Sequence, residues 1–582
     1  RHIVLKQRFG FSARTMLQND VPGFSWWMPT VLANAGVRYF AAGVNASFGG
    51  SAQIPRHHNP FYWEGPDGQR VLTWISRGSY MEWLSTYHMG NLTTFYQALQ
   101  GELEAYQAAG YPYDAILIMI GSLENTYPST LITSMAQAWN QRCANPKLVV
   151  ASPEEFFAHL EGKYGQQFAV YRGDWAGGWD LVSLNVPQSM GMTRRAHDLA
   201  IAAEKIATIN DLLGIAPYAR GAFDAVYTNM LQFDEHSGGG APWPGLMTPE
   251  ESQRQSEIAV GYAREALTTA TSQLQEGASL LSHQVVTPAP GVVVFNPLSW
   301  ERSDAVRVRL DAHWRNGLLL VEDAVSGRRV PHQWLDEELL FVAERVPPLG
   351  YRLFLLRESA AAQSSAHSEG SSPVTETENE FFRIRVDGSD GRVVSIFDKR
   401  HGRELVDSAN PFAFNGWLKA AGGGAAEMPL GSARIDTSLR GQVAKVLIIE
   451  RTGTPFVRSE IWLYAGVPRV EVVNVMDRRL MAWVPNSVGS EQYGYVFPLA
   501  MRNFAAYLEG PHGFWNPATD HLPGAPRGAF AIHHGGCVTD GHYRIVWALR
   551  EPFVVEFERF HGLEPSFDPA TATLICRFIK KE

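Results

Sequence analysis

The sequence predicts a multidomain chain of α/β, then α, then β character: an N-terminal parallel α/β domain of partial β/α barrel type, a three-helix bundle and a C-terminal antiparallel β-sandwich region. Three observations carry this. Short apolar runs alternate with helix-like stretches up to about Tyr171, apolar residues recur every three or four positions from about Thr193 to Leu274, and a period of two takes over after about Leu280. A chain of 582 residues is too long for one core, so the boundaries are placed at 1–175, 176–280 and 281–582.

In the first zone, Val37 to Phe40 and Ile116 to Ile120 read as short buried strands, and Met28 to Ala35 as a helix. Ligands of such sheets sit beyond the carboxyl ends of the strands, which directs attention to the segment around Asp20 and to Gly121 onward. In the second zone Leu199, Ala202, Ile206, Ile209 and Leu213 draw an apolar stripe along a helix, and a second helix starts near Tyr218. A third opens with Thr248-Pro249-Glu250-Glu251, a capping box with proline at the first helical position. In the third zone Val306, Val308 and Leu310 alternate with Arg307 and Arg309, and Phe382, Ile384 and Val386 lead into the turn Asp387-Gly388-Ser389-Asp390-Gly391. The low-complexity stretch within 359–375 is expected to be a flexible loop.

Composition narrows the function. Lys+Arg 50 against Asp+Glu 59 gives a formal charge of −9 without long like-charge blocks, which argues against a nucleic-acid binder. No apolar run approaches the roughly 18 residues of a membrane span. Cys143, Cys537 and Cys576 are far apart and odd in number, so neither a disulfide framework nor a cysteine-rich zinc site is expected, and a reducing cytoplasm is weakly favoured. The chain opens at Arg1 with neither a methionine nor a signal-peptide pattern, so upstream sequence is expected to be missing. Aromatic residues make up 12%, enough to supply rings for stacking on sugar faces as well as for the core.

Three segments hold side chains suited to chemistry. Asp20, in Gln18-Asn19-Asp20-Val21-Pro22-Gly23-Phe24-Ser25-Trp26-Trp27, sits on a Pro-Gly turn that can hold a nucleophile or metal ligand rigidly; a plain turn or cap role fits the same position. Asp234-Glu235-His236-Ser237-Gly238-Gly239-Gly240 offers an imidazole with adjacent carboxylates, as a zinc ligand requires, or alternatively a solvated helix end. Glu124, in Gly121-Ser122-Leu123-Glu124, follows an apolar run and is either a general acid or the cap of the next helix.

The order of the zones, together with NDVPGFSWWMPTVLANAGV, NPFYWEGPDGQRVLTW, DEHSGGG, VVVFNPLSWERSDAVRVRL and FFRIRVDGSDGRVVSIFDKRHGREL, resembles glycoside hydrolase family 38, the α-mannosidases, over nearly the whole chain. The resemblance implies that Asp20 is both catalytic nucleophile and zinc ligand and that His236 is a second zinc ligand. It also implies sugar contacts for Tyr80, Trp26 and Tyr62, with Trp27 and Trp63 as further ring surface, and gives Glu124 the role of general acid. The family's other two Zn2+ ligands come from a His-x-Asp motif followed by Trp; His2, His57, His58 and His88 have no Asp two residues later, so the motif is not found.

The implied activity is retaining, zinc-assisted hydrolysis of terminal α-mannosyl residues of a glycan or oligosaccharide, with the site at a domain junction and a homo-oligomer as one possible assembly. Two other readings remain open at this point: a carbohydrate-binding member without turnover, and a family glycosidase with another sugar specificity.

Overall fold

A computed structural model describes residues 2–44, 52–76, 92–119, 130–175, 177, 184, 186–235, 248–316, 319–358, 375–421, 424–437, 441–481, 491–511, 513–560 and 567–581. The chain packs as two units. One comprises residues 1–182, 503–549 and 553–570, and the other residues 183–502, 550–552 and 571–582.

The first unit is built on a five-stranded sheet. Its strands are β1 (Thr15–Asn19), β2 (Tyr39–Gly43), β3 (Phe61–Glu64), β4 (Arg70–Ile75) and β5 (Val170–Arg172), in the order β1-β2-β4-β3-β5. β1, β2 and β4 are mutually parallel, as expected, but β3 runs antiparallel to β4 and parallel to β5, so the sheet is mixed. The reversal has a local cause: β3 and β4 form a hairpin whose turn spans residues 65–69, too short for the crossover that parallel strands need. The expected strand Ile116 to Ile120 is not seen either. Its described part, 116–119, forms no ladder, although Ile116, Leu117 and Met119 pack into the sheet's core.

The helices of this unit are α1 (His2–Phe9), α2 (Met28–Asn34), α3 (Leu92–Ala108), α4 (Leu131–Arg142) and α5 (Pro153–Tyr164). α5 begins with a capping box in which the Ser152 hydroxyl accepts from the Glu155 amide and the Glu155 carboxylate accepts from the Ser152 amide. Segments from late in the sequence belong to the same unit. Strands Gly513–Trp515, Ala505–Gly510, Gly535–Thr539 and Arg544–Ala548 form an antiparallel sheet in that spatial order, and Phe530–Ala531 pairs with Val554–Phe557.

The second unit opens with α6 (Pro187–Leu212), α7 (Arg220–Asp234) and α8 (Pro249–Ser282). The Thr248–Glu251 capping box at the start of α8 is present, with both reciprocal bonds formed, at 2.9 and 3.2 Å. The buried stripe of α6 differs from the expected one. It runs through Ser189, Thr193, Ala196, Ala200, Ala203, Ile206 and Asn210, whereas Leu213 is 65% exposed. Alanines prevail because α6 lies close against Ala259, Ala263, Ala266 and Ala270 of α8, where small side chains let two backbones approach. Farther along, Asn210 donates to the Gly277 carbonyl at 2.9 Å.

After the short helix α9 (Ala312–Asn316) the unit is all β. Glu338–Val346 shows why stacked sheets suit this sequence: Leu339, Phe341 and Ala343 face a core shared with Val321, Phe354 and Leu356, while Leu340 and Val342 face one shared with Val446, Trp462 and Tyr464. Phe382, Ile384 and Val386 alternate as expected, and the Asp387–Gly391 turn closes their hairpin with Gly391 at φ 69°. Of the loop expected at 359–375, residues 359–374 lie outside the described residues.

Candidate active site

Asp20 stands at the carboxyl end of β1. The last parallel pair is Asn19 with Gly43, and one residue later the Asp20 amide donates to the Gly43 carbonyl at 2.8 Å. There the chain turns with φ 62°, a left-handed conformation that aspartate tolerates better than most residues. The neighbouring strand ends are tied together in the same way. The Val44 amide donates to Ser76 Oγ at 3.0 Å, and the Asn59 side chain spans Ile75, donating to its carbonyl at 2.9 Å and accepting from its amide at 3.3 Å. The half-buried Asp20 therefore lies on a rim of fixed strand ends, the place where open α/β sheets bind ligands.

The segment after Asp20 is irregular, so its backbone groups must find partners elsewhere. Phe24 and Trp175 exchange backbone bonds of 2.6 and 3.2 Å, and their rings meet edge to face at 5.3 Å. The Trp26 amide donates to Asp174 Oδ1 at 2.8 Å and its indole donates to the Glu64 carbonyl at 2.8 Å. Glu64, itself buried, is held by Arg70 at 2.6 Å and by Arg172, whose guanidinium lies 5.8 Å from the Trp26 ring centre. The late segment completes the brace: the Asp174 amide donates to the Asp520 carbonyl at 2.7 Å, and the Leu522 amide donates to the Asp174 carbonyl at 2.9 Å. Gly173, at φ 122°, is required there, because a Cβ would sit 2.6 Å from the His521 backbone.

The residues singled out from the sequence fall into three groups. Asp20 occupies the rim. Trp26 is buried with its indole N–H bonded; Trp63 is fully buried and donates to the Gly173 carbonyl at 3.0 Å, and Trp27 alone of these three tryptophans is exposed. Tyr62 belongs to the other face of the sheet, where its hydroxyl donates to Glu161 of α5 at 3.2 Å and burial pushes its pKa up to about 12. Tyr80, Glu124 and His236 lie outside the described residues.

Sequence reasoning missed Asp174, which meets Trp26 from 148 positions away, and the 520–522 segment, which meets Asp174 from about 350 positions away; neither leaves a local pattern. It also missed a group of possible metal donors. Glu509, His533 and His534 place one donor atom each within 4.8 Å of one another. The His533-His534 pair was the available signal, beside the second such pair at His57-His58.

Comparison with known proteins agrees with this architecture. Residues 2–174 match the model of the glycosyl hydrolases family 38 N-terminal domain. No curated protein matches by sequence. Among solved structures, the crystal structure of an alpha-mannosidase from Enterococcus faecalis V583 is similar with a TM-score of 0.73 at 13% identity, covering 99% of this chain and 72% of that one. The matched region carries both Asp20 and Asp174, so it is this N-terminal part of the chain that is similar to the glycosyl hydrolases family 38 N-terminal domain.

Proposed function

We propose that the chain is a retaining α-mannosidase, with Asp20 as nucleophile and Glu124 as general acid and base. The observation that supports this most directly is the position of Asp20: a half-buried carboxylate one residue past the end of a parallel strand, at φ 62°, in a segment whose Trp26 amide is held by Asp174. The similarity to an alpha-mannosidase supports mannose as the sugar.

In the first step an Asp20 oxygen bonds to the anomeric carbon while the bond to the leaving oxygen breaks, and the Glu124 carboxyl gives that oxygen its proton. In the second step the Glu124 carboxylate takes a proton from water, the water oxygen bonds to the anomeric carbon, and the Asp20 ester is released. The two carboxyl groups should stand roughly 5–5.5 Å apart for this sequence. Tyr80, Trp26 and Tyr62 are the sugar contacts of this proposal, the latter two through their rings, since their polar atoms are bonded within the fold.

Zinc belongs to the proposal with Asp20 and His236 as donors. A carboxylate and an imidazole suit Zn2+, but they supply two of the three or four protein ligands the ion takes, so this pair alone does not form a complete site and no step is routed through the metal. A zinc ion held there would supply Lewis-acid stabilisation to adjacent hydroxyls of the sugar.

Asp20→Ala is expected to lower kcat on a chromogenic aryl α-mannoside at least about a thousandfold, a barrier increase of roughly 4 kcal/mol. Quenching the active enzyme should leave a glycosyl ester on the peptide that contains Asp20. Turnover by Asp20→Ala within tenfold of the parent would eliminate the assignment, and a panel of other aryl glycosides decides the sugar.

A further inference from the structure

We propose that Glu509, His533 and His534 form a second divalent-metal site, selective for zinc-like ions, that cross-links the sheet of residues 505–548. The proposal does not depend on the function assigned to Asp20.

The register of the sheet creates the cluster. Ala505–Gly510 pairs with Gly535–Thr539 so that Leu508 faces Gly536. Continuing that register brings Glu509 to the start of the facing strand, where the chain bends at His533 and His534 before entering it. The His533 amide donates to the Glu509 carbonyl at 2.8 Å, which fixes the two backbones. In an extended strand successive side chains point to opposite faces. The bend overrides that alternation: the rings of His533 and His534 lie with centres 4.1 Å apart and planes inclined by 39°.

The donors then converge. His534 Nδ1 is 3.1 Å from Glu509 Oε1, close to the separation of about 3.3 Å between two donors that each lie about 2.0–2.1 Å from a tetrahedral ion. All three residues place a donor atom within 4.8 Å of the others, with His533 the exposed member. Two imidazoles and one carboxylate are the ligand types of Zn2+ and its neighbours rather than of Mg2+ or Ca2+, which take oxygen. Three protein ligands leave one position for water, and Glu509 and His534 are both half-buried.

The test uses the full-length chain in an Asp20→Asn background, so that metal held at the proposed active site does not contribute. After chelation and dialysis the protein is titrated with Co2+, whose visible absorption reports tetrahedral coordination, and bound cobalt is counted per chain. One equivalent is expected in the Asp20→Asn parent, displaced by Zn2+, and lost or weakened at least about tenfold by His534→Ala, by the exposed substitution His533→Gln and by Glu509→Gln. Circular dichroism shows which variants are folded, and His533→Gln, at an exposed position, keeps the test decisive if His534→Ala does not fold. The proposal is overturned if the parent binds no cobalt, or if folded His533→Gln and Glu509→Gln bind it as the parent does. Loss of this equivalent with unchanged turnover in the wild-type background would separate this site from the active site.

Discussion

The two faces of the first unit's sheet are built from the same strands but closed in different ways. On one face Tyr39, Leu72 and Trp74 pack against Phe156, Phe157 and Leu160 of α5 and Tyr106 of α3. This is helix on sheet, and the helices satisfy their own backbone groups. On the other face Phe40, Phe61, Trp63 and Val71 are covered by Leu32 of the short helix α2 and, beside it, by Phe24, Trp175, Leu522 and Ala525 from three irregular segments distant in sequence. Irregular chain has no internal ladder, so bonds between segments do the work of helical ones. That is the face that carries the Asp20 turn. A carboxylate can be held in an unusual backbone conformation there because each irregular segment is fixed by another.

Equal losses of core on the two faces should therefore have unequal effects on catalysis. Trp175 and Phe157 are both fully buried; Trp175 lies against Phe24 and Trp63, and Phe157 stacks on Tyr39 at 5.2 Å. Trp175→Ala and Phe157→Ala should each cost about 3–5 kcal/mol of stability. Per folded molecule, Trp175→Ala should also lower kcat about a hundredfold, because a displacement of about 1 Å at the reacting group has that effect. Phe157→Ala should leave kcat near the parent value. Unfolding curves and turnover measured on the same preparations check this, and equal losses of kcat would erase the distinction between the faces.

A finer version of the same contrast uses single carboxylates. Asp174→Ala leaves the Trp26 amide, now bonded at 2.8 Å, without its acceptor. An unsatisfied buried donor costs about 1–3 kcal/mol, and kcat should fall with it because the lost bond anchors the Asp20 segment. On the helical face Glu161 accepts from the hydroxyls of Tyr39 at 2.7 Å and Tyr62 at 3.2 Å and pairs with Arg38 at 2.8 Å. Glu161→Ala should lower the thermal midpoint by a similar or smaller amount and leave kcat per folded molecule unchanged.

The difference between the faces also explains what could be read from the sequence. Periodic elements declared themselves: Met28 to Ala35, the Thr248 capping box and the alternation at Phe382, Ile384 and Val386 all rest on patterns within about ten residues. Asp20 was visible because it sits on a Pro-Gly turn ahead of the helix-like Met28 to Ala35. The direction of β3 was not, since a four-residue strand such as Phe61–Glu64 has the same composition whichever way it pairs. The α6 stripe was misplaced because hydrophobicity favours leucine and isoleucine, whereas close helix packing selects alanine. The Asp174 brace depends on folding of the whole unit, and so does its link to Asp520.

Titration gives the smallest and most specific contrast, because the two faces should fail at opposite ends of the pH scale. His521, in the segment that closes the Asp20 face, is buried between Trp515 and Phe530, and burial, followed by the charge of Arg527, lowers its pKa from 6.5 to about 3. Below pH 6.5 the unfolded chain takes up this proton and the folded chain does not, so the stability His521 contributes above 6.5 is lost as pH falls towards 3. Tyr62 on the helical face has the opposite sense. Burial first, then the charge of Glu161 and the bond to it, raise its pKa from 10.0 to about 12, so its contribution is full below pH 10 and is lost as pH rises through 12. His521→Leu should therefore flatten the acid limb of the thermal midpoint against pH and leave the alkaline limb unchanged. Tyr62→Phe should do the reverse, and more weakly, because the phenol is the more solvent-exposed of the two groups. If both variants track the parent in parallel across the whole range, neither burial governs its titration.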